Sequence, residues 1–418
     1  MHWHGERFRS IRDRFHYAWV IVLLGHLNVL CALGLARFGY TMILPAMKEG
    51  LHLTYSETGW LATGNFLGYL SSSLIAGLIA SRWSNRRLIL LALCCLAACL
   101  ASTSLATGFP SAFAARTLTG LASGMLYIPA MTLPTVWFVP HRRGMAAGIQ
   151  TGGSGLGFIL SGLLIPSILH SFGPTGWRHS WVLLAILVVF VWLVTLALVR
   201  NRPEDVGQRP YGETGAPFQH QGTPGRWREV FANRGLWALG AVFACFGFSY
   251  IIYVTFFAAY LVKEGGLSPE AAGRLWGLAG ALSLGSGLIW GAVADRIGKR
   301  LGLAIVFALH AASFATFALG RTEPAFLASA ILFGLAAWSI PAIMAAAVGE
   351  YTRTSLAAAA LGFLTIIFGV GQAMAPPIAG RLADWTQSFS GAFLLASGVA
   401  VIGCFGALAL RPSVRPAP

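Results

Sequence analysis

The chain has 418 residues, 56% of them hydrophobic and only 10% charged, with a formal net charge of +15. Soluble domains carry about 25% charged residues, so a soluble enzyme or binding module is excluded and an integral membrane protein is expected. The positive charge does not mark a nucleic-acid partner, because it is spread over short loops between apolar runs. Cys31, Cys94, Cys95, Cys99, Cys245 and Cys404 all fall in apolar runs without metal-ligand spacing, so no structural disulfide, metal or other cofactor is expected.

A bilayer core takes about 20 apolar helical residues. On that rule helices are predicted over 17–44, 56–80, 87–107, 111–138, 144–169, 179–199, 234–261, 270–294, 301–319, 324–349, 355–380 and 388–410. The first run is too long for a signal-peptide core and reads as a retained helix. It contains Gly34-Leu-Ala-Arg37-Phe-Gly-Tyr40-Thr-Met-Ile-Leu-Pro45. An arginine at a helix centre costs roughly 2.5–3.5 kcal/mol on insertion scales, so Arg37 is expected to face a protein interior or a watery cavity. The alternative is snorkelling. Eight residues separate Arg37 from Pro45, about 12 Å of helix, and a long side chain spans part of that to reach headgroups.

Basic residues set the expected orientation. Of the 29 lysines and arginines, 21 lie on the side of the N-terminal segment and 6 on the other, with Arg37 and Arg116 inside helices. The positive-inside rule then puts both termini in the cytoplasm. The expected organisation is an N-terminal segment (1–16), a six-helix bundle (17–199), a polar Pro- and Gly-rich linker (200–233), a second six-helix bundle (234–410) and a tail (411–418). The linker composition suggests a flexible tether.

The two halves repeat. Gly34 to Tyr40 aligns with Gly247 to Tyr253, Gly77 to Arg82 with Gly291 to Arg296, Ile128-Pro129-Ala130 with Ile340-Pro341-Ala342, and Gly155 and Gly157 with Gly369 and Gly371. The offset stays between 212 and 214 residues. Parallel duplicated six-helix halves are a transporter architecture, with the substrate at their interface near the midplane.

At these residues the chain resembles the major facilitator superfamily. The loop signature G-x-x-x-D-R-x-G-R-[RK] is nearly complete in Gly291-Ala-Val-Ala-Asp295-Arg296-Ile-Gly298-Lys299-Arg300 and degraded in Gly77-Leu-Ile-Ala-Ser81-Arg82-Trp-Ser-Asn-Arg-Arg87. Arg116-Thr-Leu-Thr-Gly120 matches a helix-4 element of the superfamily. Ala36 to Tyr40, Leu44-Pro45, Gly59-Trp60-Leu61 and Gly68-Tyr69-Leu70 look like the bacterial YbfB/YjiJ-type subgroup. Arg202-Pro-Glu-Asp-Val-Gly207 is also similar to the oxalate/formate and monocarboxylate transporter groups. Those groups carry a helix-8 arginine, for which this chain has Gly287. The helix-5 antiporter signature also lacks its proline in Gly152-Gly-Ser-Gly-Leu-Gly157. The resemblance implies an all-α membrane protein with twelve transmembrane helices in two pseudo-symmetric bundles. It implies a secondary transporter rather than an enzyme, monomeric, in a bacterial inner membrane.

The same resemblance implies that helices 1, 4, 7 and 10 line the cavity. On those helices Arg37, Tyr40, Arg116, Ser123, Tyr127, Tyr250, Tyr253 and Trp338 are the candidate substrate-binding residues. Two guanidiniums favour a carboxylate, which their planar forks bind bidentately, so a small organic anion is the expected substrate. Each of these side chains also has a packing reading. A transporter of neutral or amphipathic compounds is the alternative, favoured if the arginines bind helix carbonyls away from the cavity. A non-transporting sensor or scaffold is a remote third reading.

None of the acidic residues lies mid-helix. The candidates for a coupled proton are therefore His26 and His310. Eleven steps of about 100° put His26 and Arg37 on one helix face. Ser81, Arg82, Arg142, Arg143, Asp295, Arg296 and Arg300 are the candidate gating residues. Asp295 is expected to face the N-terminus of helix 5, where a carboxylate interacts favourably with unpaired N–H groups, while Ser81 brings no charge to the matching place.

Overall fold

The computed structural model describes residues 16–80, 83–213, 227–353 and 356–411. Twelve helical rods run across it. They are α1 (Ala18–Gly50), α2 (Tyr55–Ala80), α3 (Asn85–Thr103), α4 (Phe109–Thr132), α5 (140–172), α6 (Gly176–Leu198), α7 (Arg234–Lys263), α8 (Pro269–Ile297), α9 (Lys299–Leu319), α10 (Glu323–Tyr351), α11 (Ala357–Thr386) and α12 (Ser390–Ala409). Among the described residues nine stretches are long and apolar enough to cross a membrane, one of which, Pro140–Leu198, holds both α5 and α6. The α2 and α4 rods fall outside that count. Their Ser, Thr and Gly residues serve packing against each other and against α11, because small residues let backbones approach closely.

Three elements depart from the sequence expectation. The first helix continues past Pro45 to Gly50, because helical geometry reforms beyond the proline. Arg37 is thus thirteen residues from the helix end rather than eight, about 20 Å, which weakens the snorkelling alternative. Residues Leu30–Phe38 form a π-helix, closed by Gly39 N–H donating to the Gly34 carbonyl five residues back. The third departure concerns the linker, of which residues 200–213 are packed rather than free. The Tyr211 N–H donates to the Trp137 carbonyl at 2.8 Å, Val139 N–H donates to the Tyr211 carbonyl at 3.2 Å, and Tyr17 N–H donates to Gln208 Oε1 at 2.9 Å. Aromatic contacts of Tyr211 with His16, Trp19 and Phe138 anchor this segment despite its polar composition.

The halves meet along two seams, α5 on α8 and α2 on α11. Both are lined by small residues. Gly162 meets Gly273 and Gly155 meets Gly280 on one, and Gly59 meets the Pro376 carbonyl and Gly380 the Tyr55 carbonyl on the other. Toward the face bearing the termini the first seam parts, since Gly144 and Gly291 have nothing within 4 Å of a Cβ position. The first seam is therefore tightly packed toward the far face and looser toward the terminus-bearing face.

Candidate functional site

Arg37 sits in the π segment of α1, at the level where both halves converge. That segment forms where α1 crosses α5 closely, since a Cβ at Gly34 would come within 2.7 Å of Gly157 Cα. A π turn closes over one residue more than an α turn, so the 100° phase from His26 to Arg37 is lost. His26 instead donates Nδ1–H to the Ile149 carbonyl of α5 at 2.7 Å, beside the break between Thr151 and Gly153. His26 and Arg37 are not brought together as the periodicity predicts.

Arg37 does meet Arg116. Both line one small cavity of about 20 Å³ together with Tyr40, Thr41, Asn65 and Thr255, enough room for roughly one water molecule. Arg116 is fully buried. Its Nη1 donates to the Ala36 carbonyl at 2.7 Å, and its guanidinium lies between the rings of Tyr40 (4.8 Å) and Trp181 (4.9 Å). The Arg116 Nε and Nη2 atoms and Arg37 Nη2 are buried without a hydrogen-bond partner. The Arg37 guanidinium faces Phe66 at 4.8 Å, Phe38 at 5.7 Å and Tyr69 at 5.9 Å. No carboxylate lines this cavity among the described residues. Two cations held by ring faces and one carbonyl, with donors left over, leave a strong electrostatic vacancy for an anion in a low-dielectric setting.

Around Arg37 an aromatic wall joins the halves. Phe38 lies 5.6 Å from Trp338, Trp338 lies 6.4 Å from Tyr250, and Phe158 stacks on Trp276 at 4.0 Å. Tyr250 accepts a hydrogen bond from Gln372 Nε2 of α11. Tyr127 lies 5.9 Å from Tyr69, and Tyr40 donates to the Thr58 carbonyl at 3.0 Å. Ser123 is buried and donates to the Thr119 carbonyl of its own helix. Tyr253 is not at this site. Three residues along α7 turn it by about 60° from Tyr250, and it packs among Phe314, Phe317 and Phe333 with its hydroxyl 3.0 Å from Ser329 Oγ. His310 is also inside the second bundle, among Phe246, Phe314 and Phe333, donating Nδ1–H to its own Val306 carbonyl.

At the terminus-bearing face the gating candidates are apart. Asp295 is exposed and pairs with Lys299 of the adjoining helix start. Arg300 donates to the Leu408 carbonyl, Arg143 to the Phe138 carbonyl at 3.0 Å, and Arg142 lies over the Tyr211 ring. Arg296 is exposed. Ser81 and Arg82 lie outside the described residues. The far face carries a contact that sequence reasoning missed. Asp384, near the end of α11, accepts from Tyr55 N–H (2.9 Å) and Ser56 N–H (2.8 Å) at the start of α2. Asp384 lies beyond the predicted end of helix 11 at residue 380, which hid it as a loop acid. Asn65, on α2, was missed because that helix was not expected to line the site, and Gln372 because α11 was not; Thr255 lies on α7, an expected lining helix, but was not singled out there.

Gly287 also has a structural reason. Its Cβ position would stand 3.2 Å from the Trp338 carbonyl, so α8 passes too close to α10 for a large side chain.

Residues 29–408 match the family described as "Uncharacterised MFS-type transporter YbfB". The chain is 25% identical over 426 residues to the hexuronate transporter of Bacillus subtilis (strain 168), covering 97% of this chain and 96% of that one. It is 23% identical to the probable sulfoacetate transporter SauU of Cupriavidus necator (90% of each chain) and 21% identical to human monocarboxylate transporter 2 (92% of this chain, 83% of that one). Among solved structures, a bacterial homologue of the human lysosomal transporter Spinster, inward-facing and unoccupied, superposes with a TM-score of 0.77 at 16% identity over 94% of this chain and 97% of that one. The shared architecture and the match across both halves agree, and the chain belongs to the YbfB-type family of major facilitator superfamily transporters.

Proposed function

We propose that this protein carries a small organic anion, such as a carboxylate, across a bacterial inner membrane by alternating access. One observation carries the reading: Arg37 and Arg116 line a single small cavity with three guanidinium nitrogens unpartnered and no acid beside them. A carboxylate arriving there gains charge-assisted hydrogen bonds that water supplies less well in a buried site. The relatives whose names carry hexuronate, sulfoacetate and monocarboxylate substrates support this class. The basic loops support cytoplasmic termini, and on that reading the looser, terminus-bearing face opens to the cytoplasm, as in an inward-facing state.

The Arg116–Ala36 hydrogen bond favours the second reading, a carrier of neutral or amphipathic compounds, because it supplies one of the two arginines with a helix carbonyl. Binding separates the two. Thermal-shift screening of purified protein with carboxylates, sugars and drugs is expected to give stabilisation by carboxylates that disappears in Arg37→Ala and Arg116→Ala. Carboxylate stabilisation unchanged in both variants overturns the anion site. For coupling we propose proton symport, with His26, half-buried and bonded only through Nδ1, as the better placed of the two histidines. Proteoliposome uptake is expected to accelerate under an inward proton gradient, and uptake indifferent to that gradient removes the proposal.

A further inference from the structure

Outside the small arginine cavity, but joined to Arg37 through its ring contacts, stand buried polar atoms that a bare carboxylate leaves idle. Gln372, 1% exposed, donates Nε2–H to the Tyr250 hydroxyl, while its Oε1 is buried without a partner. Trp338 Nε1 is likewise buried and unpartnered. These atoms belong to the same ring of contacts as the arginine. Arg37 touches Phe66, which flanks Gly369 one turn before Gln372, and Phe38 touches Trp338, which touches Tyr250.

Buried polar atoms in native proteins are paired as a rule, and those left open at a site call for a ligand. A free amide oxygen needs a donor and a free indole N–H needs an acceptor. A hydroxyl is both. It also pairs with the Gln372 amide in either orientation of that amide. A second carboxylate or a sulfonate offers acceptors only, and an alkyl chain offers nothing.

Resting on the anion reading above, we infer that Gln372 and Tyr250 form a hydroxyl-reading subsite, linked to Arg37 through Phe66 and through Phe38 and Trp338, that selects hydroxylated carboxylates over unsubstituted ones of equal length. Arg37 and Arg116 hold the carboxylate, and the amide–phenol pair on α11 and α7 reads the hydroxylated tail. Both bundles then contribute to one substrate, so the tail tethers the second half to the first.

The test is equilibrium binding of gluconate and hexanoate, six-carbon monocarboxylates that differ in hydroxylation, to purified full-length protein in nanodiscs. Wild type is expected to bind gluconate about tenfold or more tightly than hexanoate, as expected where unsolvated polar groups are left unpaired by the second ligand. Gln372→Leu and Tyr250→Phe are each expected to collapse that ratio by about tenfold, whereas Arg37→Ala weakens both ligands together. The ratio is insensitive to a general loss of folded protein, and Tyr250→Phe keeps the ring packing if Gln372→Leu folds poorly. Equal wild-type binding of the two, or an unchanged ratio in both variants, overturns the subsite and leaves the anion reading standing. Binding of neither ligand by wild type overturns the anion reading and the subsite with it.

Discussion

The two faces of the molecule use one device in opposite ways. At the far face a carboxylate at the end of α11 caps the start of α2 across the seam, through two hydrogen bonds of 2.9 and 2.8 Å. Lys48 and Lys263, one from each half, lie over the same Tyr55 ring at 4.4 and 4.7 Å. Thr63 donates to the Ala373 carbonyl and Thr41 to the Val254 carbonyl, again across the halves. At the terminus-bearing face the matching carboxylate, Asp295, bonds only within its own half. The comparison teaches that, in this state, the carboxylate that crosses between the halves is the one at the closely packed end, while the one at the other end stays within its own half. Under the proposed alternating access, such a carboxylate is a reversible clasp.

That contrast can be broken from either side. A buried reporter, Thr58→Cys, in a background without other cysteines reads how often the far face opens, because Thr58 lies behind the α2–α11 seam. The largest effect is expected from Gly380→Val. A side chain there meets the Tyr55 carbonyl, and overpacking of this kind costs about 1–3 kcal/mol, so reporter labelling should accelerate by tenfold or more. Labelling unchanged would mean that the seam yields without opening.

Asp384→Asn comes next. The amide keeps its shape, but the negative charge at the α2 N-terminus is lost, worth about 1–2 kcal/mol in a partly buried place, and labelling should again rise. Asp295→Asn is expected to act in the opposite direction and more weakly, by about 0.5–1 kcal/mol. On the proposed scheme it removes a clasp used when the terminus-bearing face is shut, so the population is expected to move toward the state described here and labelling to fall. A rise with Asp295→Asn would sink the reciprocal scheme. The smallest change, about 0.5 kcal/mol, is expected from Lys48→Met, which loses one cation–ring contact while Lys263 keeps the other.

Much of this was legible in the residues. Hydrophobic run lengths located the rods, and the constant offset of the repeat located the halves. Arg37 and Arg116 were found by their cost, because a charge inside an apolar run must be given a place. Tyr253 was misplaced because helical spacing reports a face but not which neighbour covers it. His26 was misplaced because one π segment shifts the phase of everything beyond it. Asp384 was passed over because a carboxylate near a helix end has no partner until two distant helix ends meet.

By itself the sequence determined the class, the duplicated twelve-helix architecture and the family, since these follow from hydropathy over long windows and from motifs in short loops. It also showed that two cations lie inside long apolar runs. Only the tertiary structure decided that they share a cavity, that Gln372 pairs with Tyr250 close to the Arg37 ring contacts, and which carboxylate crosses between the halves. Those outcomes depend on the close approach of glycines from different helices, Gly34 to Gly157 and Gly380 to Tyr55, and such approaches are properties of pairs of surfaces that no single stretch of chain encodes.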